Sequence, residues 1–361
     1  MFADNGKQVS VTSFAGIYDM INGLVVVGND DYKKGVLRKD GKMLLDTKYD
    51  EIYLGDGEYI AAYEDDTDSL IKKVTVFDNQ GNIISAKEYE GLKVLLSGFY
   101  NGVAMLGGWY DYAVGTDQNI IFDIVGTDYS NDTLGFNSEL YPNGYFSHYN
   151  YKKDNGEITL FNSRAEKIAN AAYMGIDYAN GKFIIEDNGS GKKRLIDDKG
   201  NEIIKEYDSL TSHYDGKYYI ASDEEGCDLY DANGLLLYDD AAEIESIGSE
   251  MFRCERDNGT TIVNGQSGEC FSLAQEEDIV SYYSDGYAIK YTDYSDKYRD
   301  LSENGETEEP YFKIEIIDKK GKVKYKLDLS GKDFYDYDNF IILKKGIYSY
   351  EYNGKCYIKT W

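Results

Sequence analysis

The sequence predicts an all-β protein built from tandem four-stranded repeats, and three observations predict it. Tyrosine and glycine each occur 37 times against 2 prolines, the composition of many short strands joined by tight turns. Apolar residues alternate in short runs, and no stretch shows the longer period of a convincing amphipathic helix. A turn signal recurs along the whole chain at a spacing of roughly 33 to 45 residues, which is the range of blades and solenoid units.

The stretch from Lys192 to Ser222 shows the repeat most plainly. A short strand, Lys193 to Ile196, runs into the turn Asp197-Asp198-Lys199-Gly200, and a second strand covers Glu202 to Ile204. The element Tyr207-Asp208-Ser209-Leu210 follows, then an Asp215-Gly216 turn and the strand Lys217 to Ser222. In the turn, Asp is expected to cap with its own carboxylate. Gly, three places on, takes the left-handed conformation that lets the next strand begin.

Taken in order, the turns are Asp4-Asn5-Gly6, Asp40-Gly41, Asp78-Asn79-Gln80-Gly81, the Asp197 turn, Asp231-Ala232-Asn233-Gly234, Gly265-Gln266-Ser267-Gly268, Asp318-Lys319-Lys320-Gly321 and Asn353-Gly354. Asp40-Gly41 and Asn353-Gly354 read as tighter two-residue versions. Tyr-Asp elements stand at Tyr49-Asp50, Tyr89-Glu90 and Tyr207-Asp208, with a looser one at Tyr18-Asp19. Strands led by glycine start at Gly23, Gly57, Gly102, Gly181 and Gly286.

Two regions break the rhythm. Between Gly107 and Tyr151 the turn looks degenerate, and at Asn162-Ser163-Arg164-Ala165 alanine stands where glycine is expected. An acidic stretch, 292–310, reads as a solvated loop insertion.

About nine repeats fill residues 1–361 as a single β-repeat domain. A repeat of this size cannot bury its apolar faces alone, so neighbours stack. A meander of three strands with a fourth beside it is a propeller blade, and the expectation is a β-propeller of eight or nine blades. An open β-repeat array is the alternative. The first strand, Lys7 to Thr12, either completes the last sheet or belongs to a repeat that precedes it.

Charge narrows the partners. Asp and Glu number 66 against 38 Lys and Arg, a net charge of −28. Nucleic acid and anionic membrane surfaces need a basic footprint, which is missing. No apolar run approaches the roughly 18 residues of a membrane span, so no direct membrane insertion is expected. Either the protein is cytoplasmic or a leader has been removed, and the residues leave both open. The four cysteines, Cys227, Cys254, Cys270 and Cys356, lack metal-site spacing and read as small packed hydrophobes. Cys254 and Cys270, on strands flanking a third, are too far apart to bridge.

Candidate sites are few. His148 and His213 are the only histidines, and neither stands near a nucleophile-elbow pattern. Asp128, Ser130, Asp132 and Glu139 occupy positions 1, 3, 5 and 12 of a calcium-loop frame, but Thr133 takes the place of the required glycine. Calcium is the one cofactor considered, and a polar loop is the competing reading. Trp109, Tyr110 and Tyr112 form an aromatic run that could stack on sugar rings or anchor a protein, or else fill the seam between sheets. Around His148, alternation of Tyr145, Tyr149 and Tyr151 with Phe146 and Asn150 predicts one buried and one exposed aromatic face.

The hairpin with an Asp-x-x-Gly turn, then Tyr-Asp, then a glycine-led strand resembles the WG-repeat family of bacterial proteins. The matching segments are Gly35-Val36-Leu37-Arg38-Lys39-Asp40-Gly41-Lys42 with Tyr49-Asp50, and Arg194 to Gly200 with Tyr207-Asp208. The Trp-Gly pair is absent, since Lys34 precedes Gly35 and Tyr110 follows Trp109. The resemblance implies a divergent repeat scaffold, favours an extracellular or cell-envelope location with a leader removed over a cytoplasmic one, and carries over no catalytic residues.

The functional expectation is a non-enzymatic binding or scaffold module that recognises a protein or carbohydrate through loops on one rim. Its rival is a carbohydrate-active hydrolase or lyase working with carboxylates in a central funnel. A third reading has the repeats spacing other domains along a longer chain.

Overall fold

In the computed structural model the described residues are 14–66, 71–90, 93–95, 97–108, 120–127, 129, 138–150, 156–172, 175–294, 312–327, 337–352 and 354–361. They form nine antiparallel sheets and no helix, seven of four strands and two of three. Every one of these sheets is a meander in chain order. The tandem four-stranded repeats expected from the sequence are therefore the architecture, with strand order of the propeller-blade type.

Contacts divide the chain into two compact units, residues 1–191 with 196–202, and residues 192–195 with 203–361. The first unit holds sheet 1 (Gly16–Ile21, Leu24–Gly28, Lys34–Arg38, Met43–Tyr49) and sheet 2 (Glu51–Tyr53, Tyr59–Asp66, Ile71–Asp78, Ile83–Glu90). Sheet 3 has three strands, Lys93–Leu95, Val103–Gly108 and Ile120–Asp123. Sheet 4 comprises Ser138–Leu140, Phe146–Asn150, Glu157–Phe161 and Lys167–Ala172. The division falls within sheet 5 (Ile176–Ala179, Lys182–Glu186, Lys193–Ile196, Glu202–Tyr207).

The second unit continues with sheet 6 (Ser209–His213, Tyr218–Ser222, Cys227–Asp231, Leu236–Ala241) and sheet 7 (Glu243–Ser246, Met251–Arg256, Gly259–Asn264, Cys270–Ser272). Sheet 8 is Glu277–Ile279, Tyr287–Asp293, Phe312–Asp318 and Val323–Lys326. Sheet 9 has three strands, Tyr337–Lys344, Ile347–Tyr352 and Lys355–Thr360.

The turn between third and fourth strands follows from its chemistry. Asp197 Oδ1 accepts the N–H of Lys199 at 2.9 Å and of Asn201 at 2.7 Å, and Gly200 has φ +84°. Asp78, Asp231 and Asp318 repeat the arrangement. Three corrections come with it. The turn judged degenerate is present at Asp123-Ile124-Val125-Gly126, where Asp123 Oδ1 accepts from Val125 and Thr127 and Gly126 has φ +82°. Nor is Asp40-Gly41 a two-residue turn. Gly41 N donates to Arg38 O at 2.9 Å, so Arg38 occupies the position that Asp holds elsewhere. The turn near Gly268 starts one residue earlier than read, at Asn264, whose carbonyl accepts from Gly268 N. Ala165 replaces glycine and still adopts φ +58°.

The glycine also serves packing between sheets. A Cβ on Gly234 would lie 2.6 Å from the carbonyl oxygen of Ile203, on the fourth strand of the preceding sheet. One on Gly200 would lie 3.0 Å from Ile168 O, again on the preceding fourth strand. Turn and strand touch there because no side chain intervenes.

The core lies between successive sheets. Leu24, Val26 and Val36 of sheet 1 pack on Ile60, Ala62 and Phe77 of sheet 2. The opposite face of sheet 2, with Ala61, Tyr63 and Val76, packs on Ala104, Leu106 and Phe122 of sheet 3. Adjacent residues of one strand thus serve two cores, which is why inner strands read as unbroken apolar runs. In the second unit, Met251 and Ile262 of sheet 7 meet Ala288 and Ile317 of sheet 8. Sheet 8 in turn meets Phe340 and Ile342 of sheet 9 through Ile289 and Ile316.

The same stacking overturns the one-exposed-face expectation around His148. Phe146 and His148 are buried, and Tyr145 and Tyr149, half-buried, pack against the core between sheets 4 and 5. Sheet 4 is covered on both faces. The cysteine expectation also changes. Only Cys254 is buried, Cys227 is half-buried, and Cys270 and Cys356 are exposed on last strands of their sheets. Outer strands have less to pack against. All four are free thiols, and Cys254 and Cys270 do flank a third strand as expected. The stretch 292–310 begins later than read, because Thr292 and Asp293 still belong to a strand and Thr292 is buried.

Candidate functional site

First strands have a sheet neighbour on one side only, so their other edge is free to line a cleft. In the second unit this happens. A cleft of about 760 Å³ is lined by the first strands of sheets 7, 8 and 9 and the residues that follow the first of sheet 8. Its floor is apolar and buried, with Ile247, Ile279, Phe340 and Ile342. At its mouth stand Tyr282, 67% exposed, and Ile341, 50% exposed. Both offer apolar contact area at the opening of the cleft.

Local irregularities set these side chains. After Glu277–Ile279, Val280 N still donates to Ile289 O at 2.9 Å. Ser281 then ends the pairing, since its hydroxyl oxygen accepts the N–H of Ile289 at 2.9 Å and leaves the chain free to carry Tyr282 outward. In sheet 9 a bulge between Asp338 and Ile341 places Asn339 at φ +52°, a conformation asparagine tolerates. Asn339 Nδ2 donates to Glu351 Oε2 at 2.8 Å and so pins the bulge to the neighbouring strand.

Two charged residues line the cleft, Glu245 and Arg253. Arg253 is already committed, with Nη2 at 2.8 Å from Glu255 Oε1 and Nη1 at 2.9 Å from Asp278 Oδ1. Glu245 is exposed and has no ion pair among the described residues. The cleft therefore presents a negative charge over an apolar floor.

A buried ionic chain lies in sheet 8, outside the cleft lining. Lys290 pairs with Glu277, and its Nζ is 3.6 Å from Glu315 Oε2, while Lys313 Nζ is 2.5 Å from Glu315 Oε1. Burial pushes the Glu277 carboxyl up, but hydrogen bonds from Lys290 and the Ala274 N–H outweigh it and leave its pKa below the ordinary value. The hydrogen bond to Glu315 raises Lys313. These carboxylates come close, yet each is held by a lysine, which makes them structural partners. A smaller notch of about 410 Å³, lined by residues including Glu255, Arg256, Thr260, Gln275 and Glu277, is mostly polar.

The residues singled out from sequence are distributed differently. Trp109, Tyr110 and Tyr112 lie outside the described residues, in the connection between the second and third strands of sheet 3. Asp128, Ser130 and Asp132 also lie outside them. Glu139 is an exposed strand residue, and its Oε2 accepts the Tyr141 hydroxyl at 3.2 Å. Among the described residues no group of His, Cys, Asp or Glu is placed to hold a metal, and no helix is long and apolar enough to cross a membrane. His148 sits between Phe146 and Phe161, at 5.1 and 5.4 Å between ring centroids, and burial lowers its pKa to about 4. His213 is half-buried, and burial lowers it as well.

Sequence reasoning looked to rim loops and missed the cleft. The signal was in Asn339-Phe340-Ile341-Ile342-Leu343, which is apolar in both registers of the first strand of sheet 9. One register is buried and the other, Ile341 and Leu343, is exposed.

No protein-family profile matches this chain, and no curated protein matches it. Solved structures similar to it include a eukaryotic initiation factor, at 8% identity and TM-score 0.33 over 90% of this chain and 91% of that one. The β-propeller domain of Cps50 (Swd1) from Myceliophteria thermophila is similar at 11% identity and TM-score 0.29, over 73% of this chain and 99% of that one. The tricorn protease matches at 12% identity and TM-score 0.26, with 94% of this chain covering 38% of the protease. Likenesses this distant say nothing of activity or partner.

Proposed function

We propose that the protein is a non-enzymatic recognition module, a divergent repeat scaffold of the WG-repeat type, that binds a protein or carbohydrate in the cleft of its second unit. The observation that carries this reading is the cleft's composition. Its buried aliphatic floor and exposed Tyr282 and Ile341 offer contact area, which is what recognition needs.

The rival hydrolase needs two carboxylates flanking one bond. Glu245 alone among the described residues brings a carboxylate to this cleft, and Glu277 and Glu315 are engaged by lysines elsewhere. Both points favour binding over bond cleavage.

The test pairs peptide and glycan arrays probed with the purified chain with an assay for release of reducing ends from the same glycans. Retained ligand without turnover, and loss of binding in Ile341→Asp, is the expected result. Turnover abolished by Glu245→Gln would overturn the reading in favour of the hydrolase.

A further inference from the structure

Resting on that reading, we infer that the cleft's occupant is an extended peptide segment of a partner protein carrying arginine or lysine among aliphatic residues. Three observations converge on this chemistry. The cleft is walled by strand edges. The first strands of sheets 7, 8 and 9 are each hydrogen-bonded to one neighbour, and the other edge pairs with no strand among the described residues. An extended peptide adds to a row of unpaired backbone groups; here that row is the free edges of sheets 7 and 9 and the edge carbonyls of sheet 8, where the N–H groups of Glu277 and Ile279 are already taken by Ala274 O and Asp278 Oδ1. A sugar gains nothing from that row's regular spacing.

Side-chain chemistry sets the composition. Aliphatic residues of the peptide would cover Ile341 and Tyr282, which are open to solvent, above the floor of Ile279 and Phe340. A cation is the complementary charge. Arg253 is neutralised by Glu255 and Asp278, Glu245 is unpaired among the described residues, and the whole chain carries a net charge of −28. An anionic segment would meet uncompensated repulsion there.

The experiment uses the full chain and three capped eight-residue peptides in which leucine alternates with arginine, serine or glutamate, titrated by calorimetry. The arginine peptide is expected to bind at least tenfold more tightly than the glutamate peptide. Glu245→Lys and Ile341→Asp should each weaken it tenfold or more, with unchanged urea midpoints showing that both variants fold.

Glu206→Lys is the control, because it makes the same charge change at an exposed site outside the cleft. Equal weakening by Glu206→Lys and Glu245→Lys would show attraction to bulk acidity only, and would overturn the inference. Indifference to Ile341→Asp would overturn it too. If no peptide binds but an oligosaccharide does, and Ile341→Asp abolishes that binding, the recognition reading stands and the peptide inference falls. If Ile341→Asp affects no ligand found on either array, both fall.

Discussion

The Tyr207 hydroxyl lies 2.6 Å from that of Tyr230 and donates to Asp228 Oδ2 at 2.5 Å. Tyr207 ends the fourth strand of sheet 5, and its two partners stand on the third strand of sheet 6. Tyr49 meets Phe77 and Tyr89 meets Phe122 in the same relation, at 6.0 and 6.3 Å between ring centroids. At Tyr49, Tyr89 and Tyr207 the Tyr of the Tyr-Asp element is therefore a stitch from one sheet to the next. Its Asp is a second stitch: Asp50 accepts from Lys33 Nζ at 2.6 Å and from the Asp65 N–H at 2.8 Å.

Tyr207→Phe should lower stability by about 2 kcal/mol, since it removes a hydrogen bond to a charged acceptor. Burial, followed by the hydrogen bonds to Asp228 and Tyr230, raises the pKa of Tyr207. Tyr230→Phe should cost less, because Asp228 keeps its shorter bond. Urea denaturation of the two single variants and the double variant checks this, and strict additivity would contradict a shared network.

Opposite signs are expected at two equivalent turn positions. Gly234→Ala forces a side chain into φ +80° with its Cβ 2.6 Å from Ile203 O, and should cost about 2 kcal/mol or more. Ala165→Gly relieves a left-handed alanine at φ +58°. The relief exceeds the added entropy of the unfolded chain, for a net gain of about 0.5 kcal/mol. Thermal midpoints of the two variants supply the comparison.

His148 predicts a pH dependence. Its folded pKa, lowered to about 4 by burial, lies below the unfolded value of 6.5. Above pH 6.5 both states are neutral and nothing is lost. As pH falls from 6.5 to 4 the unfolded state binds a proton that the folded state refuses, so stability declines across that window, by about 2 to 3 kcal/mol at most. His148→Phe should flatten this part of the curve. Carboxylates with lowered pKa values, such as Asp318 and Glu277, act in the opposite sense of charge. Their stabilisation is present above about pH 4 to 4.5 and is lost as pH falls further, through their folded values. Urea midpoints measured from pH 8 to about 2 separate the two windows.

Lys290→Met should be among the most damaging substitutions, at about 3 to 5 kcal/mol, because it strips Glu277 of its partner and weakens the neutralisation of buried Glu315. Replacing Glu277 and Glu315 by leucine in the same chain should restore much of the loss. A triple variant no more stable than Lys290→Met would contradict this view of the ionic chain.

The repeats were legible because their cause is local. Asp197, Asp231 and Asp318 satisfy backbone donors two and four residues on, so each turn is written in one short segment. The Asp123 turn is obscured in the sequence by the polar stretch that follows it, and the Arg38 turn lacks the capping carboxylate. The cleft was not legible for a different reason. Ile279, Ile341 and Glu245 lie on three sheets, and their meeting depends on how sheets stack, which no local pattern encodes. Cys270 and Cys356 were misjudged on the same account, since a composition that suits a packed interior does not say which strand is outermost.

The most direct measurement is hydrogen–deuterium exchange of the full chain with and without the alternating arginine–leucine peptide. Slowed exchange confined to the first strands of sheets 7, 8 and 9 and to residues 280–284 is the predicted result. Protection elsewhere, with those strands unchanged, would contradict the assignment of recognition to this cleft.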